Sequence, residues 1–481
     1  MSKKDSASDG SSTKRVKHSR PSARSGRHRD GTPTQARLVA LRVLERVETA
    51  DAFADLALHH ALQRNELSPV DRALTTELVY GTLRQRGRLD YLLNQLLDQD
   101  LYDLEPLVRT ALRLGAYQIV CIDRVPDQAA VDEAVRCIKN AGVPRASGLV
   151  NAVLRRLCRE HEQIQFPSLE KDPEGHIEHA LSIPRWIAKR WIKRLGVEEA
   201  VELARINGQR APQTIRTNPV HTTRDAFLSK IRERFPEAMA TPFASNGIHL
   251  GEQGNASADP AFVAGEFTIQ DEASQIVIDL LDPQSGESVL DTCAAPGTKA
   301  TGIAERVGPE GSVLALDRHL HRVGLIERDA RRLGLHNIRS MERDATESLS
   351  DLSPEVGFQR ILVDAPCSGL GTLRRNADAR WRLSPDDPTQ LAALQLALLN
   401  SAAEVLQPAG VLVYSTCTVT NEENEAVVQA FLTTHPQFHL SPQEKLPNWL
   451  QPLVDEKGFL HTYPHRHQCD GFFAARLEKD A

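Results

Sequence analysis

From about Phe267 onward the chain repeats one pattern: a short apolar run, then a longer stretch of helical spacing. The runs fall at 287–291, 312–317, 338–343, 359–364 and 410–416. Apolar runs such as VLAL at 313–316 and VLVY at 411–414 suit strands buried on both faces. Strands that alternate with helices pair in parallel, so this part of the chain is expected to form an open sheet with helices on both sides. In such sheets ligands bind beyond the carboxyl ends of the strands. The residues that decide function are then those at which each run stops.

The first run ends in Asp291-Thr-Cys-Ala-Ala-Pro-Gly-Thr-Lys-Ala300. Small residues at 293–297 let the backbone approach a ligand, and Pro296-Gly297 sets a tight turn. The spacing is neither G-x-G-x-x-G nor a Walker loop. The second run, SVLALD, ends in Asp317, placed to accept hydrogen bonds from ribose hydroxyls. The third ends in Arg343-Asp344. Singly, each acid fits a helix N-cap. Together, three acidic strand ends beside a short Gly turn suit a nucleoside without phosphates, which carboxylates would repel. S-adenosylmethionine, with its ribose, adenine and sulfonium cation, is such a ligand.

The fourth run, QRILVD, reaches Asp364-Ala-Pro-Cys-Ser-Gly-Leu-Gly371, and the fifth reaches Ser415-Thr-Cys-Thr418. A lone Cys is most often a small buried hydrophobe. Two thiols on the ligand rim of adjacent strands call for a chemical reason. Carbon 5 of a cytosine is too poor a nucleophile to take a methyl group from a sulfonium. A thiolate that adds to carbon 6 gives carbon 5 enamine character. An acid at ring N3 eases the addition, and Asp364 is placed for it. A second thiol can assist release of the adduct. Spacing alone does not decide which of Cys367 and Cys417 attacks.

Upstream, residues 35 to about 160 carry helical periodicity, as in Val39, Val43 and Val47 or Leu149, Val153 and Leu157. Loops are expected at Asp100–Glu105 and Asp123–Val131, and an exposed basic face at Arg155, Arg156 and Arg159. A linker with Pro167 and Pro173 follows. Then come an amphipathic helix in SIPRWIAKRWIKRLGVEEA, ended by Gly196, and short mixed signals to about Phe262. Residues 1–34 hold nine Lys/Arg against three Asp within a chain of net charge -6. With almost nothing to bury, they read as a disordered basic tail suited to phosphate contacts.

No run approaches the ~18 apolar residues that span a membrane. The start, MSKKDSASDGSS, lacks the apolar segment of a secretory signal. Seven scattered cysteines are not a disulfide framework, so a cytoplasmic protein is expected. His461, His465, His467 and Cys469 match no zinc spacing, and no metal is expected. Arg374, Arg375, Arg380 and Trp381 suit an RNA groove, with guanidinium groups on phosphates and the indole under a base.

DTCAAPGTKA, DAPCSGLGTLRRNADARW, YSTCTVTNEEN, FTIQDEASQIV and DGFFAARL closely resemble motifs of the RNA cytosine-C5 methyltransferases of the Sun family. VDRALTTELVYGTLRQRGRLDYLL and SGLVNAVLRRL resemble the NusB-type RNA-binding domain. The combination resembles the RsmB branch, which methylates a cytosine of small-subunit ribosomal RNA. The resemblance runs from about Gln35 to the C-terminus.

It implies a multidomain protein. After the tail at 1–34 would come an all-α NusB-like RNA-binding domain at 35–165 and a small α/β intermediate RNA-binding module at 174–262. The C-terminal domain, 263–481, would be an α/β Rossmann-like methyltransferase with a mostly parallel seven-stranded sheet. Cys293, Ala294, Ala295, Pro296, Gly297, Thr298, Lys299, Asp317, Asp344 and Asp364 would line the S-adenosylmethionine site. Cys417 would be the nucleophile, Cys367 would help break the adduct, and Asp364 would act beside them. The protein would be a monomer acting on 16S ribosomal RNA.

Two departures from the family pattern stand out. Thr298 and Ala300 replace residues of the usual PGGKT, and Ala377 and Ala379 replace those of RRNPDIRW. The first is expected to stiffen the turn and the second to loosen the loop. Two other readings are a non-catalytic RNA-binding or antitermination factor and a DNA methyltransferase. The retained thiols and strand-end acids speak against the former.

Overall fold

The computed structural model describes residues 33–50, 52–251 and 254–481. The expected basic tail lies almost wholly outside them. The N-terminal part is built of α1 (Gln35–Thr49), α2 (Ala54–Arg64), α3 (Pro69–Arg84), α4 (Arg86–Asn94), α5 (Pro106–Cys121), α6 (Asp127–Asn140) and α7 (Ser147–Glu160). The stripe Val39, Val43 and Val47 is buried as its spacing predicts. On α7 the buried stripe is Val150, Val153, Leu154 and Leu157, whereas Leu149 is 39% exposed. Helix α5 is covered nearly all round, and its buried Arg109 and Arg113 pair with Glu48 and Asp90. The second expected loop is shorter than its composition suggests, because α6 starts at Asp127. Arg155, Arg156 and Arg159 are all exposed on α7 as expected, and Arg156 also pairs with Glu160.

Three helices follow: α8 (Pro173–Ala180), α9 (Arg185–Leu195) and α10 (Val197–Asn207). Gly196, at φ 83°, separates the last two. Positive φ is cheap only for glycine, so the turn falls where the sequence places one. A small antiparallel sheet comes next, from β1 (Thr214–Thr217), β2 (Met239–Ala240), β3 (Gly247–His249) and β4 (Phe267–Ile269), in the order β2-β3-β1-β4. Its last strand lies in the segment assigned above to the C-terminal domain. Phe267 pairs with Thr217 and Ile269 with Ile215, so the module extends past residue 262.

The large sheet contains β5 (Ser288–Asp291), β6 (Ser312–Asp317), β7 (Ile338–Glu342), β8 (Phe358–Asp364), β9 (Leu406–Thr416), β10 (Phe438–Leu440), β11 (Leu460–Thr462) and β12 (Phe472–Lys479). The order is β10-β12-β9-β8-β5-β6-β7, and β11 adds an eighth strand on β12. Strands β5 to β9 are parallel; β12 runs against β9 and β10 against β12. Apolar cores cover both faces, one around Ile276, Val289 and Ile303, the other around Leu290, Ile361 and Leu399. From β5 the chain winds outward through β6 and β7, then returns to β8 on the other side. The direction of winding reverses between β5 and β8, and the crevice of such a fold opens there.

Candidate active site

A cavity of ≈ 390 Å³ opens at that reversal, lined by Thr292, Cys293 and Ala295 after β5, Asp317 after β6, Asp344 after β7, Asp364 and Cys367 after β8, and Cys417 after β9. Of the ten residues assigned to the cofactor, these place Cys293, Ala295, Asp317, Asp344 and Asp364 on its wall. Ala294, Pro296, Gly297 and Thr298 are not on the wall, and Lys299 reaches it through its contact with Asp364. The Ala294 N–H donates to the Leu316 carbonyl, and the Gly297 N–H to the Ala294 carbonyl, which closes the turn.

Gly297, at φ 111°, carries the left-handed conformation of this turn, and a Cβ there would meet the Ile326 backbone at 3.0 Å. Thr298 already lies in the helix Thr298–Val307. The side chain that replaces a glycine of the family pattern therefore imposes no strain, contrary to the stiffening expected above. Its carbonyl accepts from buried Arg216 of β1, which also donates to Thr301 and Glu305.

The rim acids are partly occupied by their own turns. Asp317 Oδ1 accepts the His319 N–H, and Arg322 lies 3.4 Å from Oδ2. Asp344 Oδ1 accepts from the N–H and hydroxyl of Thr346, which hold its carboxyl below the usual range, with Arg318 3.4 Å from Oδ2. Asp291 is wholly buried and neither of its oxygens has a hydrogen-bond partner. Burial, with the charge of Asp364 added, pushes it up to about 7.

The Cys367 and Cys417 sulfurs lie 3.3 Å apart. The interaction with Cys417, then burial, raises the Cys367 thiol well above its ordinary value. Asp364 accepts at both oxygens, from Lys299 Nζ at 2.7 Å and from the Ser415 hydroxyl at 2.7 Å. Burial works against the Lys299 ammonium, but Asp364 and Cys417 more than offset it and hold its proton more firmly than usual. The cationic partner of Asp364 was not singled out in the sequence, although Lys299 stands in the motif. Nor was Ser415, one residue before the conspicuous Thr416-Cys417.

The expected RNA groove is corrected. Arg380 is 0% exposed and donates to the carbonyls of Ser182, Asn207 and Leu373. Trp381 donates to the Leu83 carbonyl, with the Arg86 guanidinium over its ring. Arg374 bonds the Arg210 carbonyl, and Arg375 bridges Asp271 and Asp470. Ala377 is buried within the core of the N-terminal helices, so the loop is pinned where loosening was expected. These side chains clasp domains together. The histidines near the C-terminus go to separate partners: His461 to Asp455, His465 to Glu199 and His467 to the Tyr463 N–H.

The fold is that of a Rossmann-like methyltransferase, and relatives specify the kind. The family described as 16S rRNA methyltransferase RsmB/F matches residues 278–478, the NusB family residues 34–159, and the ferredoxin-like domain of RsmF/B-like methyltransferases residues 183–257. The probable ribosomal RNA small subunit methyltransferase B of Bacillus subtilis is 39% identical over 93% of this chain and 99% of its own length. The ribosomal RNA small subunit methyltransferase B of Pseudomonas putida is 34% identical over 92% and 98%. The crystal structure of PH0851 superposes with a TM-score of 0.76 at 26% identity, covering 92% of this chain and 99% of its own. A methyltransferase homolog protein from Pyrococcus horikoshii matches 62% of this chain and 96% of its own at 28% identity, with a TM-score of 0.54. The chain belongs to the RsmB/F family of 16S rRNA methyltransferases.

Proposed function

We propose that the protein forms 5-methylcytosine in 16S ribosomal RNA, with S-adenosylmethionine as methyl donor and a transient bond between the Cys417 sulfur and C6 of the target base. The observation that carries this is the pair of sulfurs 3.3 Å apart on the wall of a cavity whose opposite wall holds Asp317 and Asp344. The residues present suit the cofactor. The turn at 293–297 presents small side chains and backbone, the two carboxylates can accept from ribose hydroxyls, and no phosphate cradle is built. When bound, S-adenosylmethionine supplies an electrophilic methyl group.

This chain's residues do the rest. Cys417 attacks C6, which shifts the C5–C6 electrons toward C5. Lys299, held by Asp364, keeps its proton and supplies the positive charge that offsets the negative charge the addition places on the ring at N3. Asp364, named above as the acid, acts on this reading by orienting Lys299. Once C5 carries the methyl group, water in the cavity takes the C5 proton, the C5–H electrons re-form the C5–C6 double bond, and Cys417 departs as a thiolate with the C6–S electrons. Cys367, held as a thiol, donates a hydrogen bond to the leaving sulfur. The target base must be unstacked for a thiol to reach it.

RNA containing 5-fluorocytosine tests this, because the fluorine cannot leave and the adduct persists. Wild type and Cys367→Ala should be trapped, and Cys417→Ala should not. Trapping by Cys417→Ala with none by Cys367→Ala would reverse the assignment of the thiols. Trapping on DNA alone would replace RNA as substrate.

A further inference from the structure

The acidic run after Cys417, Asn421-Glu-Glu-Asn424, is not used by the mechanism above, yet Glu423 and Asn424 are both fully buried. Glu423 Oε1 accepts the Ser368 N–H at 2.8 Å and the Gln395 amide at 3.1 Å. Its Oε2 accepts the hydroxyls of Ser368 at 2.5 Å and Thr420 at 2.8 Å. Among the described residues it enters no ion pair. Two of its donors are N–H groups that cannot act as acceptors, and the hydroxyls can turn their protons toward it. Four donors on one carboxylate match its ionised, acceptor-only form.

These bonds all converge on the thiols. Ser368 follows Cys367, and Gln395 also donates to the carbonyl of Pro366, which precedes it. The Ser368 hydroxyl lies 2.8 Å from that of Thr418, the residue after Cys417. Asn424 holds the other thiol from both sides, accepting the Thr416 hydroxyl at 2.6 Å and donating to the Thr418 carbonyl at 3.1 Å. Asn424 therefore grips the Cys417 turn, while Glu423 ties the Cys367 turn to it through Ser368 and Thr420.

We propose that Glu423 is a positioning residue of the two-thiol site: it fixes the Cys367 sulfur against Cys417, and its charge disfavours a second thiolate there. This rests on the covalent reading above and adds a reason why two adjacent thiols take different roles. The groups that bear on Cys367 are Cys417 and Glu423, with the Tyr414 phenol nearby. Lys299 and Asp364 stand on the Cys417 side. The Cys417 side thus carries a mutually neutralised Lys299–Asp364 pair, whereas the Cys367 side carries the Glu423 carboxylate, which among the described residues has no ion-pair partner. A proton shared between the sulfurs then resides on Cys367, which is the state that can donate to a departing Cys417.

The test is alkylation of the full-length protein by iodoacetamide, read at each cysteine by mass spectrometry from neutral to alkaline pH. In the wild type Cys367 should react only at the alkaline end. Glu423→Gln should move the Cys367 profile to lower pH, with on the order of tenfold faster labelling at neutral pH. It should also lower kcat while leaving KM for RNA unchanged. Glu423→Asp keeps the charge but shortens the reach; it should leave Cys367 slow to label and still lower kcat. A general packing defect would not separate the two variants in this way. Ser368→Ala, which keeps the carboxylate, should also lower kcat, and it serves if Glu423→Gln does not fold. Wild-type labelling of Cys367 in Glu423→Gln, or wild-type kcat in Ser368→Ala, would overturn the proposal. If Cys417→Ala still forms the 5-fluorocytosine adduct while Glu423→Gln speeds Cys367 labelling, the covalent assignment fails and the role of Glu423 stands.

Discussion

Trp381 donates its indole N–H to the carbonyl of Leu83 at 2.8 Å, across 298 positions of sequence. The bond joins the loop that carries Cys367 to helix α3 of the N-terminal domain. Beside it, Arg380 satisfies three carbonyls from three different segments. Arg380→Ala leaves those carbonyls buried without a donor and should cost on the order of 3 kcal/mol. Trp381→Phe removes one donor and should cost about 1–2 kcal/mol. Urea unfolding followed by tryptophan-independent circular dichroism measures both. Variants as stable as the wild type would show that the clasp is dispensable.

Arg216 makes the corresponding connection between the small sheet and the helix that follows the cofactor turn. Its side chain is 4% exposed and that of its partner Glu305 is 2% exposed. Arg216→Met strands a buried carboxylate and should destabilise by about 3–5 kcal/mol. Arg216→Lys should rescue little, because the ammonium cannot reproduce the fork that meets both Glu305 oxygens. Denaturant midpoints of the two variants check this.

Lys299 is the cation held against Asp364 and facing Cys417. Lys299→Met should slow adduct formation on 5-fluorocytosine RNA by on the order of a hundredfold, the usual worth of one group that stabilises developing charge. S-adenosylmethionine affinity should change much less. Single-turnover trapping and calorimetry separate the two effects.

Asp291 offers a pH signature. Its carboxyl rises from 3.8 to about 7 because it is buried and faces Asp364. An acid raised on folding binds its proton more tightly in the native state, so its contribution is most favourable below the unfolded value and is lost as pH rises toward 7. Asp291→Asn should therefore stabilise the ligand-free protein at about pH 8 by roughly 2–4 kcal/mol and have little effect near pH 4. Thermal unfolding at the two pH values decides it, and an equal effect at both would remove titration as the cause.

Thr298→Gly would restore the usual family pattern. Because Thr298 is helical and Gly297 already bears the positive φ, the change should cost about 0.5–1 kcal/mol and bring no gain in cofactor affinity. Tighter S-adenosylmethionine binding by the variant, measured calorimetrically, would show that the turn is strained after all.

The inner strand runs were legible because burial on both faces selects apolar residues locally; β8 ends at Asp364, just short of Cys367, and β9 at Thr416, next to Cys417. The helical stripe on α1 was legible for the same reason. The stripe on α7 shifts to Val150 because its partners, not its spacing, choose the face. The loop Arg374–Trp381 was misread, since arginines and an indole look solvent-facing until carbonyls from distant segments surround them. Strand β4 was placed in the wrong unit because a three-residue run carries no record of its partner. Glu423 looked like part of a polar turn; of its four donors only the Thr420 hydroxyl is local, and the other three come from Ser368 and Gln395, brought in by folding.

By itself the sequence determined where the chain extends, where it turns, and which acids and thiols stand at the turns. Those features follow from local periodicity and turn chemistry, which a few neighbouring residues decide. Only the tertiary structure decided that Lys299 answers Asp364, that Glu423 grips Ser368 beside Cys367, and that the arginine-rich loop fastens domains together. A buried charge or donor is satisfied by whichever segment folding brings within about 3 Å, and that segment is set by the packing of the whole chain.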